Sequence, residues 1–109
     1  MTYHVLRFIR PSSGLAGFLS KNKELNLIYV DESLTHNTIV TQDETIAQYI
    51  YDQRNGFINI EPWISFVKDL MSYLDEAMPG DDKMIIEQFL VIDHGGHIEL
   101  KKTISLAGL

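Results

Sequence analysis

Apolar and polar residues alternate from Tyr3 to Ile9, with Tyr3, Val5 and Arg7 on one side and His4, Leu6 and Phe8 on the other. A period of two predicts a strand. Pro11 closes it, because proline has no N–H for a ladder. Leu15, Phe18 and Leu19 then fall at i, i+3 and i+4, which predicts a short helix over residues 13–22 capped by Ser12 or Ser13. Gly14 and Gly17 weaken that helix. Leu25–Val30 reads as a second strand and Asn37–Val40 as a short third.

Thr41-Gln42-Asp43-Glu44 fits a capping box, so a helix is expected from there to Gln53, with Ile46, Ala47, Tyr49 and Ile50 as its apolar stripe. Tyr49 and Tyr51 are two apart and do not share a narrow stripe, so one of them is expected at the surface. Asn55-Gly56 stops the helix, and Phe57–Ile60 is a short extended piece. The clearest helix spans 62–78. Trp63, Phe66, Val67, Leu70, Leu74, Ala77 and Met78 form one face, and Ser65, Lys68, Asp69, Ser72, Asp75 and Glu76 the other. Pro62 suits its first position, and Pro79-Gly80 terminates it.

Gly95-Gly96 between two apolar runs predicts a C-terminal hairpin with positive φ at both glycines. That turn pairs His94 with His97, Asp93 with Ile98, Val91 with Leu100, Phe89 with Lys102 and Glu87 with Ile104. The expected core face is Ile85, Phe89, Val91, Ile98, Leu100, Ile104 and Leu106. Ile86, Leu90 and Ile92 lie on the other face, so strand 84–92 is apolar on both sides. It is either covered twice or part of an interface. The whole reads as a single α+β domain over 1–109. The expectation is a mixed or mainly antiparallel sheet of about four to five strands with two to three helices packed on it.

Length and composition narrow this little. The chain has 109 residues and no cysteine, which excludes disulfides, thiolate metal sites and thiol nucleophiles. The absence of cysteine favours a cytoplasmic location, and no apolar run is long enough for a membrane helix or a signal sequence. The net charge of -6 hides an asymmetry. Residues 1–23 carry Arg7, Arg10, Lys21 and Lys23 with no acid, whereas all fifteen acids lie in 24–99. The acidic body argues against general nucleic-acid binding.

Four constellations could carry chemistry. His94, His97 and Glu99 share one face of the hairpin and suit a divalent metal such as zinc, or a pH-sensitive contact. Arg7, Arg10, Ser12, Ser13 and Lys21 surround the expected helix start, a generic site for a phosphorylated or nucleotide-like anion. The aromatic and acidic set Tyr51, Asp52, Asp69, Asp75 and Glu76 suits contact with a basic patch on another protein. Ser12 or Ser13 with His4 or His94 can be assembled into a nucleophile and base, but no spacing demands it. Paired acids such as Asp81-Asp82 point apart and make no catalytic dyad.

The favoured expectation is therefore a binding protein with no catalytic residues and no cofactor. It is read as an acidic interaction module of the inhibitor, immunity, antitoxin or phage-accessory kind. A small-anion binder at the basic turn is the alternative, and a homodimeric structural subunit is the second.

Overall fold

A computed structural model describes residues 2–40, 46–54 and 64–107. Among them are five strands, β1 (Thr2–Arg10), β2 (Leu15–Asn22), β3 (Leu27–Asp31), β4 (Ile85–Asp93) and β5 (Ile98–Ala107), and two helices, α1 (Ile46–Arg54) and α2 (Ile64–Ala77). The strands form one sheet in the order β3-β2-β1-β4-β5, every neighbouring pair antiparallel. The α+β class and the C-terminal hairpin are as expected. The capping box at 41–44, the Asn55-Gly56 stop, the extended piece at 57–60 and Trp63 lie outside the described residues.

The expected helix over 13–22 is instead β2. Its phenylalanine and leucine are buried on opposite sides of the sheet, Phe18 in one apolar cluster and Leu19 in the other. A period of two buried on both faces imitates i, i+3, i+4 over so short a run. Gly17 shows what the strand needs. A Cβ there would sit 3.0 Å from the Asp31 carbonyl oxygen and 3.1 Å from the Val30 Cβ. The close approach of β3 to β2 thus favours glycine, the residue that weakened the helix.

Beyond Phe18, β2 parts from β1 and meets the 37–39 segment. The Lys21 N–H donates to Asn37 O and the Ile39 N–H to Leu19 O, both at 2.9 Å. The expected third strand at Asn37–Val40 is thus a single bridge between Ser20 and Thr38.

One face of the sheet carries the helices. Leu6, Phe8, Leu19 and Ile86 meet Ala47 and Ile50 of α1 and Val67, Leu70, Met71 and Leu74 of α2 in the main core. The contacts of α1 are with β4, β5 and α2, and those of α2 with β3, so α1 is wedged on two sides. Both Tyr49 and Tyr51 are consequently half-buried against the core, and neither stands out at the surface. The opposite face holds a second cluster of Val5, Phe18, Phe89 and Val91, with Tyr3 and Leu34 against it. Phe18 and Phe89 meet edge to face at 6.2 Å. On that same face the buried Glu87 carboxylate lies between Arg7, 3.6 Å away, and Lys102.

The hairpin keeps the expected pairs from Asp93–Ile98 to Phe89–Lys102, then slips. Gln88 pairs with Ile104 and Glu87 with Ser105, leaving Thr103 as the extra residue of a β-bulge. The slip moves Ile104 and Leu106 to the helix side with Ile86. Ile98 and Leu100 stay on the far face, where they are 50% and 40% exposed rather than core. At the tip Gly95 alone has positive φ, +80°, as in a type II′ turn, where only the first central residue needs it.

At the bulge, the fully buried Gln88 turns its amide into the helix layer, where Oε1 accepts from the Ala47 N–H at 3.2 Å. That N–H belongs to the first turn of α1, where donors have no intrahelical partner. Gln88→Met keeps the volume and removes the acceptor. It should lower stability by about 1–3 kcal/mol, the cost of stranding a buried donor. Urea denaturation of the two proteins measures this, and a loss under half a kilocalorie would show that the bond is dispensable.

Candidate functional site

The amphipathic pattern of α2 is reproduced where it is described, with Phe66 and Ala77 of the expected apolar face half-buried. Val67, Leu70, Leu74 and the following Met78 are buried, and Ser65, Lys68, Asp69, Ser72, Asp75 and Glu76 are exposed. The apolar stripe seats the helix on the sheet and aims its acids outward. Tyr73 sits at the margin, and its hydroxyl accepts from the Val30 N–H of β3 at 3.4 Å.

Beside that contact runs a groove of about 280 Å³ between α2 and the sheet edge, lined by Asn26, Leu27, Ile28, Asp69, Ser72, Tyr73 and Glu76. Its β side comes from the β2–β3 turn, where Asn26 takes a left-handed φ of 53°. Asparagine tolerates that conformation better than most residues. The turn leaves Leu25 and Leu27 66% and 57% exposed. Leu27 and Ile28 thus stand beside two carboxylates, an apolar foothold with an acidic wall. The expected contact residues are divided by this geometry. Asp69 and Glu76 line the groove. Asp75 lies on the other flank of α2, in a pocket of about 210 Å³ shared with Asp81, Asp82 and Lys83. Tyr51 and Asp52 ride on α1, where Asp52 accepts from the Gln48 side chain at 2.6 Å. Leu27 is not among the expected contacts. Asn26, with its turn-forming side chain, is the signal that puts Leu25 in the turn and starts the strand at Leu27.

The basic turn is arranged differently from the expected helix start, since residues 11–14 link two strands. Its anchor is the Gly14 N–H, which donates to Arg10 O at 2.9 Å with Gly14 at φ +72°. Arg10 spends its guanidinium on the chain itself, donating from Nε to Met78 O at 3.1 Å and from Nη1 to Asp82 O. The Ser12 N–H donates to the Asp82 carboxylate at 2.8 Å. An anion does sit at this turn, and it is Asp82. Gly80 fits beneath, since a Cβ there would lie 2.5 Å from Arg10 Cδ. Arg7 is committed to Glu87 on the far face of the sheet, and Lys21 is half-buried in β2. Arg7, Arg10 and Lys21 therefore do not converge on one point.

At the hairpin tip, His94 and His97 stack with ring centroids 4.8 Å apart, and His94 Nε2 lies 2.8 Å from Glu99 Oε2. Ring nitrogens lie in the ring planes, so stacked imidazoles aim their lone pairs side by side instead of at one ion. Among the described residues, no group of three or more His, Asp or Glu side chains is placed to hold a metal.

No protein-family model, no curated protein and no solved structure matches this chain. Among the described residues no helix is long and apolar enough to cross a membrane.

The Asp82 contact carries a pH dependence. Hydrogen bonding from Ser12 is the largest cause holding its carboxyl below the ordinary 3.8; its own backbone N–H and the Arg10 charge add to this against burial. The folded protein therefore binds this proton less readily than the unfolded chain. The contact stabilises fully above the ordinary carboxylate value and is lost as pH falls through the lowered one. Asp82→Asn removes the titration. In thermal melts, the variant should start less stable at neutral pH, and the gap to the parent should close below about pH 4. A gap that stays constant into acid would show that the carboxylate charge contributes nothing.

Proposed function

We propose that this domain is a protein-interaction module whose α2–β3 groove receives a basic, apolar-anchored segment of another protein. One observation carries this reading: the exposed Leu27 lines, with Ile28, a groove walled by Asp69 and Glu76. Large apolar side chains beside a concavity mark contact surfaces more often than scattered ones do. Carboxylates at the rim add little affinity in water, but they select a cationic partner and speed its approach. The acids beyond the groove extend the same field. Residues 64–83 carry Asp69, Asp75, Glu76, Asp81 and Asp82 against Lys68 and Lys83.

Binding rather than catalysis is the role we propose for the groove. A cytoplasmic setting belongs to the same reading, on the absence of cysteine. Inhibitor, immunity and antitoxin proteins are the kinds of molecule that act through such a surface alone.

Asp69→Lys with Glu76→Lys tests the reading, because both positions are exposed and neither supports the core. The probe is a set of immobilised peptides that combine leucine with lysine or arginine. The parent should bind basic members more tightly than their acidic counterparts. Its affinity should fall with salt, as expected when charges lie within a Debye length of about 8 Å. The double variant should lose roughly tenfold or more and invert the charge preference. Equal binding by both proteins at every salt concentration would refute the assignment of the groove.

A further inference from the structure

The outer edge of β5 has ten residues, and among the described residues nothing pairs with it. Its backbone can be oriented from the hairpin. The His94 N–H donates to His97 O at 3.0 Å, so His94–His97 is a hydrogen-bonded pair. Such pairs alternate along an antiparallel ladder. Glu99 and Lys101 therefore turn their backbone groups toward β4, and Ile98, Leu100 and Lys102 turn theirs outward. Three residues in alternation thus present unpaired N–H and C=O groups to an incoming strand.

Exposed edges of this kind are normally blocked by lysine, and Lys101 and Lys102 look like such a block. Lys102 does not act as one, because it is drawn back to Glu87 of β4. Lys101 lies two residues from Glu99 on the same face of the strand, which makes the edge self-complementary. We infer that β5 pairs antiparallel with β5 of a second copy of this chain, with Leu100 on the twofold axis. In that register Leu100 faces Leu100 of the second copy, Ile98 faces Lys102, and Glu99 faces Lys101 in both directions. All outward backbone groups from Ile98 to Lys102 are then satisfied. Glu99 and Lys101 form non-hydrogen-bonded pairs, where facing side chains stand closest. Ile98 and Leu100 cover each other on the face that already carries Phe89 and Val91.

Charge singles out this register. Moving the axis to Lys101 sets Lys101 against Lys101, and moving it to Glu99 sets Glu99 against Glu99. Either shift replaces attraction by repulsion. A strand of another protein would gain the backbone bonds but has no reason to place a cation at Glu99 and an anion at Lys101 together. The contact is short, so the dimer is expected to dissociate in the micromolar range.

The chain lacks cysteine, so a single introduced one can form only an intermolecular disulfide. Leu100→Cys should cross-link rapidly under mild oxidation, since paired residues on the axis have Cα atoms about 5.5 Å apart. Leu27→Cys, more exposed and on the opposite edge, should not. Sedimentation analysis should show a monomer–dimer equilibrium. Glu99→Lys should weaken it roughly tenfold, and so should Lys101→Glu, by placing like charges opposite each other twice. The double exchange E99K/K101E should restore it, a recovery that damage to the fold would not give. A monomer at all concentrations up to about a millimolar would overturn the inference. So would a dimer that cross-links at Leu27 and not at Leu100, or one that the double exchange fails to restore. Peptide binding at the α2–β3 groove is a separate readout, so failure of either proposal is visible without the other.

Discussion

The β-bulge at Thr103 is the constraint that settles which side of the hairpin becomes core. Strands pass their side chains alternately to two faces, so one extra residue reverses every assignment beyond it. Before the bulge, β5 sends Ile98, Leu100 and Lys102 to the face away from the helices. After it, Ile104 and Leu106 drop into the helix layer beside Ile86. The bulge is pinned from both sides. The Thr103 hydroxyl donates to Gln88 O at 3.1 Å, while the Gln88 side chain reaches into the first turn of α1. One irregularity thus fixes the hairpin face, the seat of α1 and the exposure of Ile98 and Leu100.

A second constraint is electrostatic and explains the uneven charge of the chain. The basic N-terminal segment and the acidic body are not separate faces at Arg7 and Arg10. β1 lies beside β4 and brings Arg7 opposite Glu87, while the turn after β1 brings Arg10 and Ser12 to Asp82. The positive charge nearest the chain start is therefore absorbed by the region just before and within β4. The acids on the outer strip of α2 point away from the sheet instead, and Asp69 and Glu76 among them line the groove beside β3. Folding thus converts a charge gradient along the chain into an acidic helix face beside the groove on which the proposed function depends.

How far the fold was legible depended on how many neighbours each element needed. The α2 pattern and the first strand were readable because one buried stripe or one alternation carries them. The register near the hairpin tip was readable because a two-residue glycine turn fixes it. β2 was misread because its identity lies in its neighbours. Phe18 and Leu19 are adjacent and both buried, a combination that no single amphipathic face predicts, and Gly17 declares its purpose only once Val30 and Asp31 lie against it. The bulge was invisible for the same reason, since Thr103 is extra only relative to Gln88 across the ladder. Within the candidate site, the acids of α2 followed from periodicity. The exposure of Leu27 beside them did not, because it is decided by where the chain bends before β3.

The two edges of the sheet end differently, and this separates their roles. At β3, Tyr73 takes the Val30 N–H and α2 leans over the strand, so the backbone is partly covered and recognition falls to side chains around a groove. At β5, among the described residues, the outer backbone groups are unpaired, and the proposed self-pairing rests on the charge order along them. Strands lie about 4.8 Å apart, so a sheet joined through β5 would hold its two α2–β3 grooves roughly 40 Å from each other. They would lie at opposite ends and be related by the same twofold axis. Two weak basic-segment contacts on one partner assembly would then act together, and the second would form at the high effective concentration set by the first. A groove that binds weakly alone would suffice in such an arrangement. In this view the modest depth of the α2–β3 groove and the openness of the β5 edge are two parts of one binding strategy.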